Sequence, residues 1–232
     1  MGIIGAINYL SNEGMNVFSF LTMNINGDDK NVFPYLSDSQ DDRLRLDVSK
    51  LAQWEIVFEH ADKMGMYLHF KTAETENDTL LDGGLLGDER KLYYRELIAR
   101  FSHHLALNWN LSEEISNPVE QIKEFAEYFK TVDPYKHSVV FHTGSNSGLY
   151  SDFLGFPSVD GTSLQNRPSM VFSATLRWVT QSAAAGKKWV VANDEQNSAF
   201  NGVVPDSVDP DHDIIRENAL WGNIMVRAKV IL

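Results

Sequence analysis

Cysteine is absent from all 232 residues, which excludes disulfides, thiolate metal sites and cysteine nucleophiles together. Basic residues are also short. Lys and Arg number 20 against 32 Asp and Glu, a formal net charge of −12, so no nucleic-acid partner is expected, because that needs clustered positive charge. No apolar run approaches the roughly 18 residues of a membrane span, so no membrane partner is expected. The segment Met1–Leu10 has no basic residue and contains Asn8, the wrong pattern for a signal peptide. Either an export signal lies upstream, in a longer secreted or periplasmic parent, or there is none. Low-complexity stretches, linkers and a phosphate-binding Gly-x-Gly-x-x-Gly turn are missing too, and the last absence disfavours a doubly wound dinucleotide fold.

What is present is an alternation of short apolar strands and longer amphipathic helices, the pattern of a parallel sheet with helical crossovers. Ile3, Ile4, Ile7 and Leu10 have helical spacing. The run Asn16–Thr22 reads as a strand, followed by a polar loop with Asn24, Asn26, Asp28 and Asp29. Asp47 is placed to cap a helix reaching Met64, and Met66–Lys71 is the next strand. An acidic loop (Glu74, Glu76, Asp78, Asp82) leads to a helix from about Asp88. A strand is expected over His104–Trp109, then a helix opened by Asn117-Pro118 and Glu120. Ser138–His142 is a strand, 149–165 a short helix and a weak strand, and Ser169–Ala185 a helix ended by Gly186. Lys188–Ala192 is a strand, 212–226 a helix, and Lys229–Leu232 the start of a further strand. About seven strands separated by helices predict one α/β domain over 1–232, a (β/α)8 barrel.

In such barrels function gathers at the C-terminal ends of the strands. Those positions hold Asn24; His69, Lys71 and Glu74; Trp109, Asn110, Glu113 and Glu114; His142; then Asn193, Asp194 and Glu195. Amides and carboxylates bind sugar hydroxyls, and an indole face stacks on a pyranose ring. A pair of carboxylates is also what hydrolysis of an acetal requires. Taken alone, Glu113-Glu114 reads more readily as charge favouring a helix N-terminus. A second acidic pair, Asp194-Glu195, at another strand end favours chemistry.

The runs Asn110-Leu-Ser-Glu-Glu114, Thr72-Ala-Glu-Thr-Glu-Asn-Asp78 and Trp189-Val-Val-Ala-Asn-Asp-Glu195 resemble barrels found beside DUF5060 domains in bacterial polysaccharide-degrading proteins, relatives of the clan A glycoside hydrolases. The resemblance spans nearly the whole chain. It implies an acid/base after strand four and a nucleophile after strand seven. Glu114 is then the acid/base with Glu113 its rival, and Glu195 the nucleophile with Asp194 its rival, each pair facing the other across the barrel mouth. Clan A commonly has Asn directly before the acid/base, whereas Asn110 lies three residues before Glu113. The expected partner is a carbohydrate substrate, bound by Asn24, His69, Lys71, Glu74, Trp109, Asn110, His142 and Asn193; no cofactor or metal is expected.

Each supporting residue has a plainer reading. His69 and His142 are equally satisfied structural histidines, Lys71 an ion-pair partner for Glu74 or Glu76, and Trp109 a core residue. Asp206, Asp209, Asp211 and Asp213 lack the glycine spacing of a calcium loop. Metal-assisted hydrolysis through His69, His142 and His212 has no His-x-His or His-Glu-x-x-His spacing behind it. A non-catalytic carbohydrate-binding barrel is the third reading. Counted from the resemblance, strand one is absent and strand eight truncated. The open edges this leaves would expose unpaired backbone groups, so a homo-oligomer covering them is expected.

Overall fold

Parallel strands alternate with helices in the structure, a computed structural model that describes residues 2–28, 30–37, 42–144, 147–196, 205–226 and 229–230. The chain divides into two compact units, 1–139 and 140–232. Among the described residues no helix is long and apolar enough to cross a membrane.

The first unit runs α1 (Ile3–Asn12), β1 (Val17–Leu21), α2 (Val48–Lys63), β2 (Tyr67–Lys71), α3 (Asp88–Phe101), β3 (Leu107–Asn110), α4 (Val119–Val132) and β4 (Ser138–Val140), with sheet order β1-β2-β3-β4. The register pairs Ser19 with His69 and His69 with Asn108, and Leu21 with Lys71 and Lys71 with Asn110. Because side chains alternate along a strand, this register places His69, Lys71, Asn108 and Asn110 on one face. Phe20, Phe70 and Trp109 take the other, against helix residues. Ring centroids lie 4.9 Å apart for Phe20 and Phe58 of α2, 5.8 Å for Phe70 and Phe101 of α3, and 5.3 Å for Trp109 and Phe129 of α4. Phe70 is fully buried within this set; truncating such a ring to alanine costs about 3–5 kcal/mol.

Asp47 caps α2 as expected, its carboxylate accepting from the backbone N–H groups of Ser49 (3.0 Å) and Lys50 (3.1 Å). α4 likewise opens directly after Pro118, with Glu120 in its first turn and the Asn117 amide donating to Gln121. One expectation changes: His104 does not begin β3; its ring is turned to Asp62 on α2 instead.

The second unit runs β5 (His142–Thr143), a 3-10 segment (Ser147–Phe153), β6 (Gly161–Asn166), α5 (Val171–Ala184), β7 (Val190–Gln196), α6 (Asp213–Ile215), a π segment (Arg216–Leu220), α7 (Trp221–Met225) and β8 (Lys229–Val230). Its order is β5-β6-β7-β8, all parallel. Phe141, Tyr150, Phe153 and Trp178 form its buried aromatic core. The Tyr150 hydroxyl lies 2.7 Å from the carbonyls of both Phe141 and Ser163, tying β5 to β6; burial pushes its ionisation well up. Gly161 is needed where β6 passes β7, since a Cβ there would run into the Val190 carbonyl. The helix expected over 212–226 is interrupted by the π segment, and β7 extends four residues beyond Ala192. Residues 231 and 232 of the expected last strand lie outside the described residues.

Candidate active site

On the first unit, the polar sheet face continues into the loops after β1, β2 and β3. His69, 1% exposed, has Nδ1 2.9 Å from Asn108 Oδ1 and Nε2 3.0 Å from Asn110 Nδ2. The Nδ1–H tautomer meets both contacts, so the two asparagines lock the ring. Lys71, at the end of β2, forms a close ion pair with Glu113 in the turn after β3, both side chains largely buried. Glu113, which follows the next strand, is thus a partner of Lys71. The backbone N–H of Glu113 donates to the Ala73 carbonyl at 2.8 Å, linking the two loops at the same point.

Glu74 accepts from the Thr75 N–H at 3.1 Å. Burial pushes its carboxyl up to about 7, with the charges of Glu113, Glu76 and Asp28 adding and the Thr75 N–H opposing. Glu114 is half-buried and takes a left-handed backbone, φ 44°, a conformation that costs a non-glycine residue about 1–2 kcal/mol. Strain of this kind persists only where surrounding structure over-determines it.

The loops themselves are stapled by residues that sequence reasoning passed over. Asn77 behaves as a peptide unit toward Ile25, accepting from its N–H at 2.8 Å and donating to its carbonyl at 2.9 Å. Asp78 accepts from Ser112 Oγ (2.7 Å), Ser116 N (2.6 Å) and Ser116 Oγ (2.9 Å), joining the β2 and β3 loops. Burial raises the Asp78 carboxyl against those hydrogen bonds. Asn24 is 2% exposed and organises its own loop, its Oδ1 accepting from Gly27 N at 3.1 Å. Trp109 is a core residue: it is fully buried, and its indole N–H donates to Asp133 at 3.0 Å.

On the second unit the site is built on a bulge. β6 and β7 pair Leu164 with Asn193 and then Gln165 with Glu195, so Asp194 is the extra residue. A bulge re-aims side chains, and here Asp194 and Glu195 both reach His142. His142 is fully buried, with Nδ1 3.7 Å from Asp194 Oδ1 and Nε2 3.5 Å from Glu195 Oε2. Asp194 is wholly buried and also accepts from the Ser163 hydroxyl, whereas the Glu195 side chain keeps 28% exposure and accepts from Gln165 Nε2 at 2.6 Å.

Asn193 is an anchor, donating to Thr175 (2.8 Å) and Asn223 (2.7 Å) and accepting from Asn166 (3.0 Å). Asn223 sits in α7 directly after the π segment, a feature frequent near functional sites. His212 lies in the loop before α6, its Nε2 2.8 Å from Asp206. Ser163, Gln165 and Asn166 were not singled out from sequence. The polar run along Thr162–Asn166, broken only by Leu164, is the one signal that marks them.

No protein-family model and no curated protein matches this sequence. Solved structures do. The chain is similar to a glycoside hydrolase family 5 protein from Bacteroides vulgatus ATCC 8482, with 16% identity over 97% of this chain and 52% of that one, at a TM-score of 0.69. It is similar to the hyperthermostable endo-1,4-β-D-mannanase from Thermotoga petrophila RKU-1, with 13% identity over 98% and 82% and a TM-score of 0.67. An exo-β-1,4-mannosidase from Opitutaceae bacterium strain TAV5 matches at 11% identity over 99% and 47%, with a TM-score of 0.71. The chain thus spans about half the length of the first and the last. At these identities what is shared is the fold: the chain is an α/β protein with an incomplete (β/α)8 barrel, its described strands falling in two four-stranded sheets.

Proposed function

We propose that this chain hydrolyses glycosidic bonds of a poly- or oligosaccharide by a retaining, two-carboxylate mechanism, with β-1,4-mannans the first substrates to try. The observation that supports it most is Glu195. It sits near the C-terminal end of β7, partly exposed, with one oxygen fixed by Gln165 and the other facing His142. The mannan-directed names of two fold neighbours suggest the substrate class.

In this reading Glu195 is the nucleophile. It attacks the anomeric carbon while the acid/base protonates the departing glycosidic oxygen. Water then attacks the glycosyl-enzyme as the same acid/base takes its proton, and Glu195 is released. Asp194, buried between Ser163 and His142, is a positioning residue. Glu114 is assigned as acid/base, because a carboxylate clasped by an ammonium, as Glu113 is by Lys71, is poorly suited to carrying a proton. The Glu113–Lys71 pair then binds sugar hydroxyls, and His69, locked by Asn108 and Asn110, supports the face beneath it.

The test is a panel of mannans and other plant and algal polysaccharides assayed for new reducing ends, with Glu114→Gln and Glu195→Gln alongside. Turnover should fall by orders of magnitude in each variant with the fold intact, and proton NMR should show the anomer retained in the first product. Added azide should restore turnover to Glu195→Ala by replacing the lost nucleophile. Binding without turnover, unchanged by either Gln substitution, would instead identify a carbohydrate-binding barrel.

A further inference from the structure

A second cluster of ligating side chains lies on the first unit and takes no part in the proposed hydrolysis. Glu55 and Asp62 are seven residues apart on α2, hence on one helix face, and His103 and His104 follow the end of α3. His103 Nε2 is 3.0 Å from Glu55 Oε1, and His104 Nε2 is 3.4 Å from Glu55 Oε2. His104 Nδ1 is 2.6 Å from Asp62 Oδ2. One ligand atom from each of Glu55, His103 and His104 falls within 4.8 Å of the others.

His104 is 1% exposed, and each of its nitrogens faces a carboxylate. Glu55 thus meets two imidazoles at once, those of His103 and His104, whose ring centroids lie 4.2 Å apart. The two histidine–carboxylate spacings, 3.0 and 3.4 Å, lie near the ligand–ligand edge of about 3.3 Å that ligand–zinc bonds of about 2.0–2.1 Å give in a tetrahedron. Asp62 supplies the outer carboxylate that commonly fixes the tautomer and aim of a metal-binding histidine.

We propose that Glu55, His103 and His104 bind a divalent cation of the zinc class, with Asp62 orienting His104 and solvent completing the coordination. Two imidazoles and a carboxylate suit zinc or a neighbouring transition metal better than calcium or magnesium. The His103 side chain is 52% exposed, so the metal is reached directly from solvent. Bound there, it clips α2 to the turn between α3 and β3 and stabilises the folded chain by mass action.

Calorimetric titration of chelator-treated protein with zinc sulfate tests this, with cobalt(II) and its visible absorption as the geometric probe. The expected result is one saturable site, a tetrahedral-type cobalt spectrum and a higher melting temperature with zinc. His103→Ala and Glu55→Gln should each weaken binding at least tenfold, and Asp62→Asn by about 10–100-fold. His103 is exposed enough that its replacement leaves the fold intact, so that variant decides the matter even if another fails to fold. Absence of saturable binding, or equal affinity in His103→Ala and the unaltered protein, would overturn the site.

Discussion

Gln165 donates to Glu195 Oε1 at 2.6 Å while Glu195 Oε2 faces His142 Nε2 at 3.5 Å. The carboxylate is therefore held at both oxygens by groups from β6 and β5. Orientation of this kind contributes to rate rather than to binding, because a misaimed nucleophile loses its attack trajectory. Gln165→Leu, which keeps the bulk and removes the donor, is expected to lower kcat by about 10–100-fold with a smaller change in KM. Steady-state kinetics on the substrate found by screening is the check. Unaltered kcat would show that Gln165 does not position Glu195.

The strand-ending motifs were legible because each depends on local alternation. Asp194-Glu195 and Glu113-Glu114 follow apolar strands, and both stand in the loops or strand ends where a barrel carries chemistry. What the sequence hid was set by pairing between distant segments. Lys71 pairs with Glu113, 42 residues away, because the β2–β3 register places Lys71 beside Asn110. The bulge that turns Asp194 and Glu195 to the same histidine depends on how β7 meets β6, which no periodicity reveals. His104 was mistaken for a strand residue for a similar reason: Asp62 and Glu55, on another helix, fix where it goes.

Trp109 illustrates the opposite outcome, a residue with two readings that burial separates. Its indole N–H reaches Asp133, which also accepts from His137 N and Nδ1. Burial alone would raise the Asp133 carboxyl, but these hydrogen bonds outweigh it and hold it down at about 2. Trp109→Phe removes one donor and should cost about 1–3 kcal/mol of stability while leaving KM unchanged. Denaturant melts and kinetics together decide. A raised KM at full stability would mean that the ring meets sugar after all.

The Asn77–Ile25 pairing predicts a cost to the loops. Asn77→Ala leaves a buried N–H and a buried carbonyl of Ile25 without their partner. Each unmet group costs about 1–3 kcal/mol, so a loss of about 2–6 kcal/mol is expected by urea unfolding, with faster amide exchange in the loop after β1. Asn77→Asp, which keeps the acceptor and loses the donor, should fall between the two. A loss below about 0.5 kcal/mol for Asn77→Ala, the ordinary range of surface changes, would show that the pairing does not hold the loops.

Glu74 offers a prediction that depends on pH. Its carboxyl is raised from an ordinary 4.5 to about 7 in the folded chain, so between those values the folded state keeps a proton that the unfolded chain has released. Stability from this group therefore falls as pH rises through that window, and the full penalty is present above it. Below pH 4.5 both states are protonated and the penalty vanishes. Glu74→Gln cannot ionise, and its amide oxygen can still accept from the Thr75 N–H. The variant should match the unaltered protein at pH 4 and become more stable than it as pH rises to 8. The gain at pH 8 is expected to be on the order of a few kcal/mol at most. Melting temperatures measured across pH 4–8 are the check, and a difference that stays flat over that range would show that Glu74 titrates as an ordinary surface carboxylate.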